Sequence, residues 1–213
     1  SSPISTSTFQ NIYPVQLENI SLEKEGQVLL SPLSMHIKKG EKIAIIGESG
    51  SGKTTLLNII HGELAATSGR IAFAGQSLSR QEITSVSSYI LQDSHYFDTL
   101  SLEDNILLGM TKKQERLNHI LKTTGLEHLK NRTLSNDSLS GGEKQRLEIA
   151  RALYHDSQLI LADEIKANLD LENSKKISDL LFSLPQTVIE VIHHYTDEDL
   201  KRYDQVIHLS KEK

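Results

Sequence analysis

A lysine and a threonine closing a glycine-rich run, and two adjacent carboxylates far downstream, are the groups in this chain best placed to do chemistry. The run is Gly47-Glu48-Ser49-Gly50-Ser51-Gly52-Lys53-Thr54, followed by Thr55, with the spacing G-x-x-x-x-G-K-T. Glycines at these positions let the backbone take φ > 0, so that consecutive N–H groups turn inward onto phosphate oxygens. Lys53 supplies a charge for β- and γ-phosphates, and the Thr54 hydroxyl is a ligand for Mg²⁺. The pattern predicts a nucleoside triphosphate site. The acids are Asp163-Glu164, leaving the apolar run Leu159-Ile160-Leu161-Ala162. Neighbours along a strand point to opposite faces, so the two can take separate roles. Asp163 is placed to hold Mg²⁺ through water, and Glu164 to orient or deprotonate an attacking water. Standing alone, the pair would read as well as a helix cap; a phosphate loop upstream favours chemistry.

Such groups need a strand to aim them and a helix dipole behind the loop. Ile43-Ala44-Ile45-Ile46 predicts a buried strand before the loop, and residues 55–60 a helix after it. Apolar–polar alternation over 15–22 predicts a half-exposed strand. Further strands are expected at 35–37, 70–74, 86–92 (ending at the polar Gln92) and 159–162. A last strand pair is expected at 187–192 and 205–209. Helical spacing at 102–129, broken near Gly109 and Gly125, predicts a separate α-helical lobe within about 93–138. Helices are also expected at 144–154 and 172–182. Strands alternating with helices predict an α/β fold with a mainly parallel, doubly wound sheet. Residues 1–13, Ser/Thr-rich at their start, read as a linker or disordered lead-in, and 14–213 as the folded domain.

Ser140-Gly141-Gly142 leads straight into the helix Glu143-Lys144-Gln145-Arg146-Leu147. Bare N–H groups and a hydroxyl at a helix N-terminus make a second anion site, although a glycine-bearing N-cap would look the same locally. Two phosphate sites in one domain mean either a second ligand or a loop that closes on the nucleotide of another chain. Composition adds limits. At 213 residues the chain can bury a real core. A net charge of −5 gives no electrostatic footprint for nucleic acid, so none is expected as a partner. The absence of cysteine excludes disulfides and thiolate metal sites. No apolar run approaches the roughly 20 residues that span a bilayer.

The segment Leu139-Ser140-Gly141-Gly142-Glu143-Lys144-Gln145-Arg146 resembles the signature sequence of the ATP-binding cassette (ABC) family. Residues 47–54 match its Walker A motif and 159–164 its Walker B motif. Asn168-Leu169-Asp170 resembles its D-loop, Gln92 its Q-loop and His193 its switch histidine, all in the family's order over 15–209. The resemblance implies a P-loop core, an antiparallel β subdomain and an α-helical lobe, with ATP and Mg²⁺ bound and ATP hydrolysed. It implies a second ABC ATPase domain packed head to tail as a partner, each ATP lying between Walker A of one chain and Ser140/Gly142 of the other. That accounts for the spare anion site. Gln92 would then touch Mg²⁺ or the attacking water, and His193 the γ-phosphate. His193 is preferred to His194 because Thr187-Val188-Ile189-Glu190-Val191-Ile192-His193 reproduces the strand-then-histidine spacing. Transmembrane domains of a transporter are the other implied partners, which places the domain at the cytoplasmic face of the cell membrane.

Two departures from the family pattern bear on function. The stretch Ser21-Leu22-Glu23-Lys24-Glu25-Gly26 lacks the usual adenine-stacking aromatic, and Tyr13 lies about ten positions too early. Ile165-Lys166 replaces the usual Pro-Thr or Ala-Thr, setting a cation beside the expected catalytic acid. The patch at 93–105 offers aromatics next to Gln92 as a docking surface, though a simple loop and cap fits it equally. On direction, Phe97-Asp98 and Asn105-Ile106 resemble exporter cassettes, whereas Leu161-Ala162-Asp163-Glu164 with Asn168-Leu169-Asp170 resembles separately encoded ATPase subunits. With a polar lead-in that opens on Ser1 rather than Met, the expectation is an exporter's cassette cut from a longer chain. A DNA-maintenance ABC ATPase would need a long coiled coil between its half-motifs, and the chain has none.

Overall fold

The computed structural model describes residues 11–93, 95–135 and 139–211. β1 (Val15–Lys24) turns through Glu25 and Gly26, both with positive φ, into β2 (Gln27–Ile37). Two consecutive left-handed residues are what a tight hairpin needs to match strand twist. β3 (Lys42–Gly47) is buried from Lys42 through Ile46 and runs into the phosphate loop and α1 (Lys53–Ile60). β4 (Ser68–Phe73) then returns to the hairpin, closing a three-stranded antiparallel sheet of order β2-β1-β4.

The second sheet is parallel throughout. α2 (Arg80–Val86) leads into β5 (Ser87–Leu91), and the helical lobe follows with α3 (Leu102–Leu107), α4 (Gln114–Thr124) and a 3₁₀ turn (Glu127–Leu129). α5 (Gly141–Tyr154) returns the chain to β6 (Leu159–Asp163), and α6 (Leu171–Ser183) to β7 (Thr187–Val191). The short α7 (Asp197–Leu200) precedes β8 (Gln205–Leu209), completing the order β5-β6-β7-β3-β8. Parallel strands covered on both faces read as continuous apolar runs. In β6, Leu159 and Leu161 join the core shared with α1 and the antiparallel sheet, while Ile160 and Ala162 join the core against α6. A third cluster fills the helical lobe and includes Leu147, Ala150 and Tyr154 of α5, so this helix serves two cores.

Four expectations change. Segments 187–192 and 205–209 are not a pair, because β3 lies between them and pairs with both. Val86 ends α2 rather than opening a strand; the Ser79/Glu82 capping box sets that helix, which the sequence reading missed. The strand expected at 35–37 begins at Gln27. Ile12 and Tyr13, assigned to the lead-in, are buried at 1% and 8% exposure, and the Tyr13 hydroxyl donates to the Gln158 carbonyl at 2.7 Å. The rest of that lead-in, residues 1–10, lies outside the described residues.

Candidate active site

The phosphate loop is built by steric necessity at its glycines. Gly47, Gly50 and Gly52 have φ of 153°, 80° and 99°. A methyl group on Gly47 would meet the Leu209 carbonyl oxygen at 2.3 Å, and one on Gly52 the Leu29 carbonyl oxygen at 2.6 Å. The loop is thus wedged between β8 and β2. Gly52 is the N-cap of α1 and brings no side-chain cap, so the helix opens with its N–H groups uncapped by side chains. Lys53, 8% exposed, donates to the Gly47 carbonyl and, at 3.2 Å, to the Glu48 carbonyl.

Ser49, Gly50, Ser51, Gly52, Lys53, Thr54 and Thr55 line a cavity of about 380 Å³ together with Glu164 and His193. Nine residues from three segments therefore surround one space. Glu164 is held there by a left-handed backbone (φ 53°) and by its N–H, which donates to the Val191 carbonyl at 3.0 Å. His193 follows β7, with its ring edge-on to His194 at 4.8 Å between centroids; His194 lines a neighbouring cavity but not this one. Asp163 sits at the end of β6, where its Oδ2 accepts from the Thr54 hydroxyl at 2.9 Å and from the Tyr89 hydroxyl at 2.9 Å.

These residues fit a nucleotide with its cation. Ser51 Oγ is buried without a hydrogen-bond partner inside the loop, an orphan that a phosphate oxygen would satisfy. The Thr54 hydroxyl and Asp163 carboxylate stand together as hard oxygen ligands, which suits Mg²⁺ held by one carboxylate plus substrate phosphates. Tyr89 escaped the sequence reading. Its phenol pKa is pushed up, first by burial and then by the adjacent Asp163 charge, so it stays a donor to that carboxylate.

Not every expected residue meets at this cavity. Gln92, half-buried just beyond β5, is absent from its lining; its backbone carbonyl accepts from Gln145 Nε2 of α5 at 2.9 Å. Ser140, Gly141 and Gly142 also stand outside the lining, at the start of α5. There the Ser140 hydroxyl accepts from the Glu143 N–H at 3.1 Å, and Glu143 Oε1 accepts from the Ser140 N–H at 3.0 Å. A methyl group on Gly141 would meet Leu169 Cδ2 at 3.1 Å, and one on Gly142 Asn173 Oδ1 at 3.0 Å. The second glycine loop thus abuts the expected D-loop and α6 of its own chain. Lys166, expected beside the catalytic acid, instead places its ammonium 3.0 Å from Glu190 and donates to Ser178 at 2.8 Å.

The sequence profile of the ABC transporter family matches residues 30–167, about two thirds of the chain. The chain belongs to the ABC transporter family. It is similar to the spermidine/putrescine import ATP-binding protein PotA of Mycoplasma mycoides, at 35% identity over 91% of this chain and 58% of that protein. The ABC transporter ATP-binding protein YxdL of Bacillus subtilis is 36% identical over 80% of this chain and 72% of its own length. Among solved structures, cbiO1 of Clostridium perfringens, part of the ABC transporter complex cbiONQ, superposes with a TM-score of 0.82 at 28% identity, covering 93% of this chain and 84% of that one. The chain spans just over half the length of the first curated relatives it matches. Its fold is that of ABC ATPases, with the nucleotide-binding core, antiparallel sheet and helical lobe described above.

Base recognition in this ABC domain is expected to depart from the stacking arrangement. Tyr13 could have folded back as a substitute ring, but it is buried against Gln158. A base left to Leu22 or the stem of Lys24 is expected to lose much of the roughly 1–3 kcal/mol that aromatic–base stacking supplies to single-stranded nucleic acids. Phosphate contacts, which do not read the base, are then expected to dominate. ATP and GTP are therefore expected to bind within about tenfold of each other. Parallel titrations of one preparation check this; an ATP preference of hundreds-fold would show that another group reads the adenine.

Proposed function

We propose that this ABC domain is the ATP-hydrolysing motor of a membrane transporter, and that it works as one of two ABC domains closed head to tail around two ATP molecules. The observation that carries the reading is the separation of its two anion-binding loops. One lines a cavity with Glu164 and His193; the other caps α5 outside that cavity. A loop that stands outside its own chain's phosphate cavity is suited to serve a partner's nucleotide. In each site Lys53, Ser51 and the N–H groups of α1 bind the phosphates. Thr54 and Asp163, with Gln92 brought in from outside the cavity lining, would hold Mg²⁺, which would offset negative charge on the phosphates. Glu164 orients and deprotonates the attacking water. His193 contacts the γ-phosphate, and the partner's signature loop completes the enclosure. ATP thereby biases the pair toward closure, and hydrolysis releases it.

The transmembrane partner would dock on the lobe beside Gln92. There Leu91 and Phe97 are 50% and 58% exposed. Asn105, fully buried, shapes this loop: its Oδ1 accepts from the Phe97 N–H at 2.7 Å and its Nδ2 donates to the Phe97 carbonyl at 2.9 Å. Arg151 of α5 grips Asn105 in turn, so motion at the signature helix reaches Phe97 through hydrogen bonds. For direction, Phe97-Asp98 and Asn105-Ile106 favour export. The similarity to PotA, an import ATP-binding protein, favours the second reading, a separately encoded import subunit.

The paired-domain reading is tested by mixing Lys53→Ala protein with Gly142→Asp protein. Each alone forms no intact composite site, whereas a mixed pair retains one. Recovery of ATP hydrolysis to about a quarter of wild type is expected, from half the pairs being mixed and half their sites intact. If Gly142→Asp abolishes ATP binding by a monomer that keeps its wild-type unfolding midpoint, the loop acts within its own chain and the paired site is wrong.

A further inference from the structure

Glu190 is a carboxylate in the middle of the parallel sheet. It lies on β7, between β6 and β3, at 1% exposure. Two groups compensate its charge: the Tyr203 hydroxyl donates to Oε1, and the Lys166 ammonium lies 3.0 Å from Oε2. Lys166 donates also to Ser178 Oγ at 2.8 Å. The Tyr203 phenol is held protonated, first by burial and then by the Glu190 charge, so its hydrogen bond does not lapse. Lys166, Glu190 and Tyr203 come from three different segments: the loop leaving β6, β7 itself, and the turn before β8.

Stability alone is a poor reason for such a cluster. Apolar replacements of buried ion pairs are often as stable or more so, because desolvation offsets the Coulombic attraction. Placement offers a better one. Glu164, Lys166, His193 and Tyr203 line one cavity of about 840 Å³, and Glu164 and His193 line the phosphate-loop cavity as well. Lys166 is two residues beyond Glu164 and shares its cavity wall. An ammonium on so long and flexible a stem has two carboxylates to choose between. Paired with Glu164, it would occupy the oxygens that water needs and tie the carboxylate away from the phosphates. Glu190 is buried and Glu164 half-buried, and a charge pair attracts more strongly where water is excluded.

We propose that Glu190, supported by Tyr203, is a positioning residue for ATP hydrolysis that holds the Lys166 ammonium away from Glu164. The proposal rests on the reading of Glu164 as the general base. Glu190→Gln keeps the shape and an acceptor for Tyr203 but releases Lys166. Its kcat is expected to fall by about tenfold or more with KM for ATP within about twofold of wild type. Adding Lys166→Met, which removes the freed cation, is expected to bring kcat back to within about threefold of wild type. A pair that merely braces the fold predicts the reverse, a double variant no better than the single one, and that result overturns the proposal. So does a wild-type kcat for Glu190→Gln. Crystals of nucleotide-free Glu190→Gln are expected to show Lys166 Nζ within about 4 Å of the Glu164 carboxylate; an ammonium still on Ser178 counts against the idea. Should Glu190→Gln fail to fold, the double variant buries no unpaired charge and decides alone: active, it supports the proposal, and folded but inactive, it refutes it. Glu164→Gln separates the two levels. Hydrolysis at the wild-type rate by that protein removes the general base, whereas its inactivity beside a fully active Glu190→Gln removes only the role of Glu190.

Discussion

Glu164→Gln is expected to slow ATP hydrolysis by about 10²–10⁴-fold, the usual share of a positioned general base, while ATP binding keeps its wild-type strength. The substitution changes one oxygen to an amide nitrogen and leaves the shape alone. It also leaves the backbone alone. Residue 164 sits at φ 53°, a conformation uncommon for any residue but glycine, held by the N–H donated to Val191 and by the Ala167 N–H donated back to its carbonyl. Gln meets the same conformational cost as Glu, so a loss of rate reports chemistry rather than folding. In the proposed site Lys53, Ser51 and the start of α1 bind phosphate without help from residue 164, which is why affinity should hold. With hydrolysis stalled, ATP should accumulate a closed pair of domains, visible by size-exclusion chromatography. Single-turnover hydrolysis and nucleotide titration on the same protein test the split; an unaltered rate would take Glu164 out of the mechanism.

The second large effect is expected at Gly47→Ala: a loss of about 2–5 kcal/mol of stability, from overpacking together with a strained φ, and ATP binding at least tenfold weaker. The added methyl group would lie 2.3 Å from the Leu209 carbonyl oxygen and 2.7 Å from Ser51 Oγ. Neither neighbour has room. Leu209 pairs with Gly47 at the end of β8, and Ser51 is 4% exposed inside the loop. Relief requires β3 and β8 to part at the point where the Gly47 carbonyl receives Lys53. Gly50→Ala is the matched control. Its methyl group would meet only the flexible end of Lys211, at 3.7 Å or more. Its cost is therefore expected near the 1 kcal/mol end of backbone strain alone. Chemical denaturation of both proteins compares them, and equal unfolding midpoints would show that the fit of Gly47 against β8 has no energetic weight.

Much of this molecule was written in short stretches of sequence, because the forces involved act over a few residues. The phosphate loop is legible since its glycines answer to local φ and its N–H groups to the helix that follows. Ser140 and Glu143 lie three apart, the spacing of a capping box, and the apolar run of β6 announces burial on both faces. The Ser79/Glu82 box was equally local, and its helix was open to the same reasoning. Tertiary structure decided what depends on register between distant segments. β3 inserts between β7 and β8, so two late strands that look like a pair never touch. Tyr89 reaches Asp163 because β5 and β6 run parallel with Leu91 opposite Asp163. No spacing along the chain reports that alignment. Lys166 looked like a neighbour of Glu164 because the two are close in sequence, yet its ammonium is drawn to a carboxylate on another strand. Side-chain reach exceeds the distance between adjacent residues, and burial strengthens the more distant attraction. The sequence named the charges of this site, and the packing of β6, β7 and β8 chose their partners.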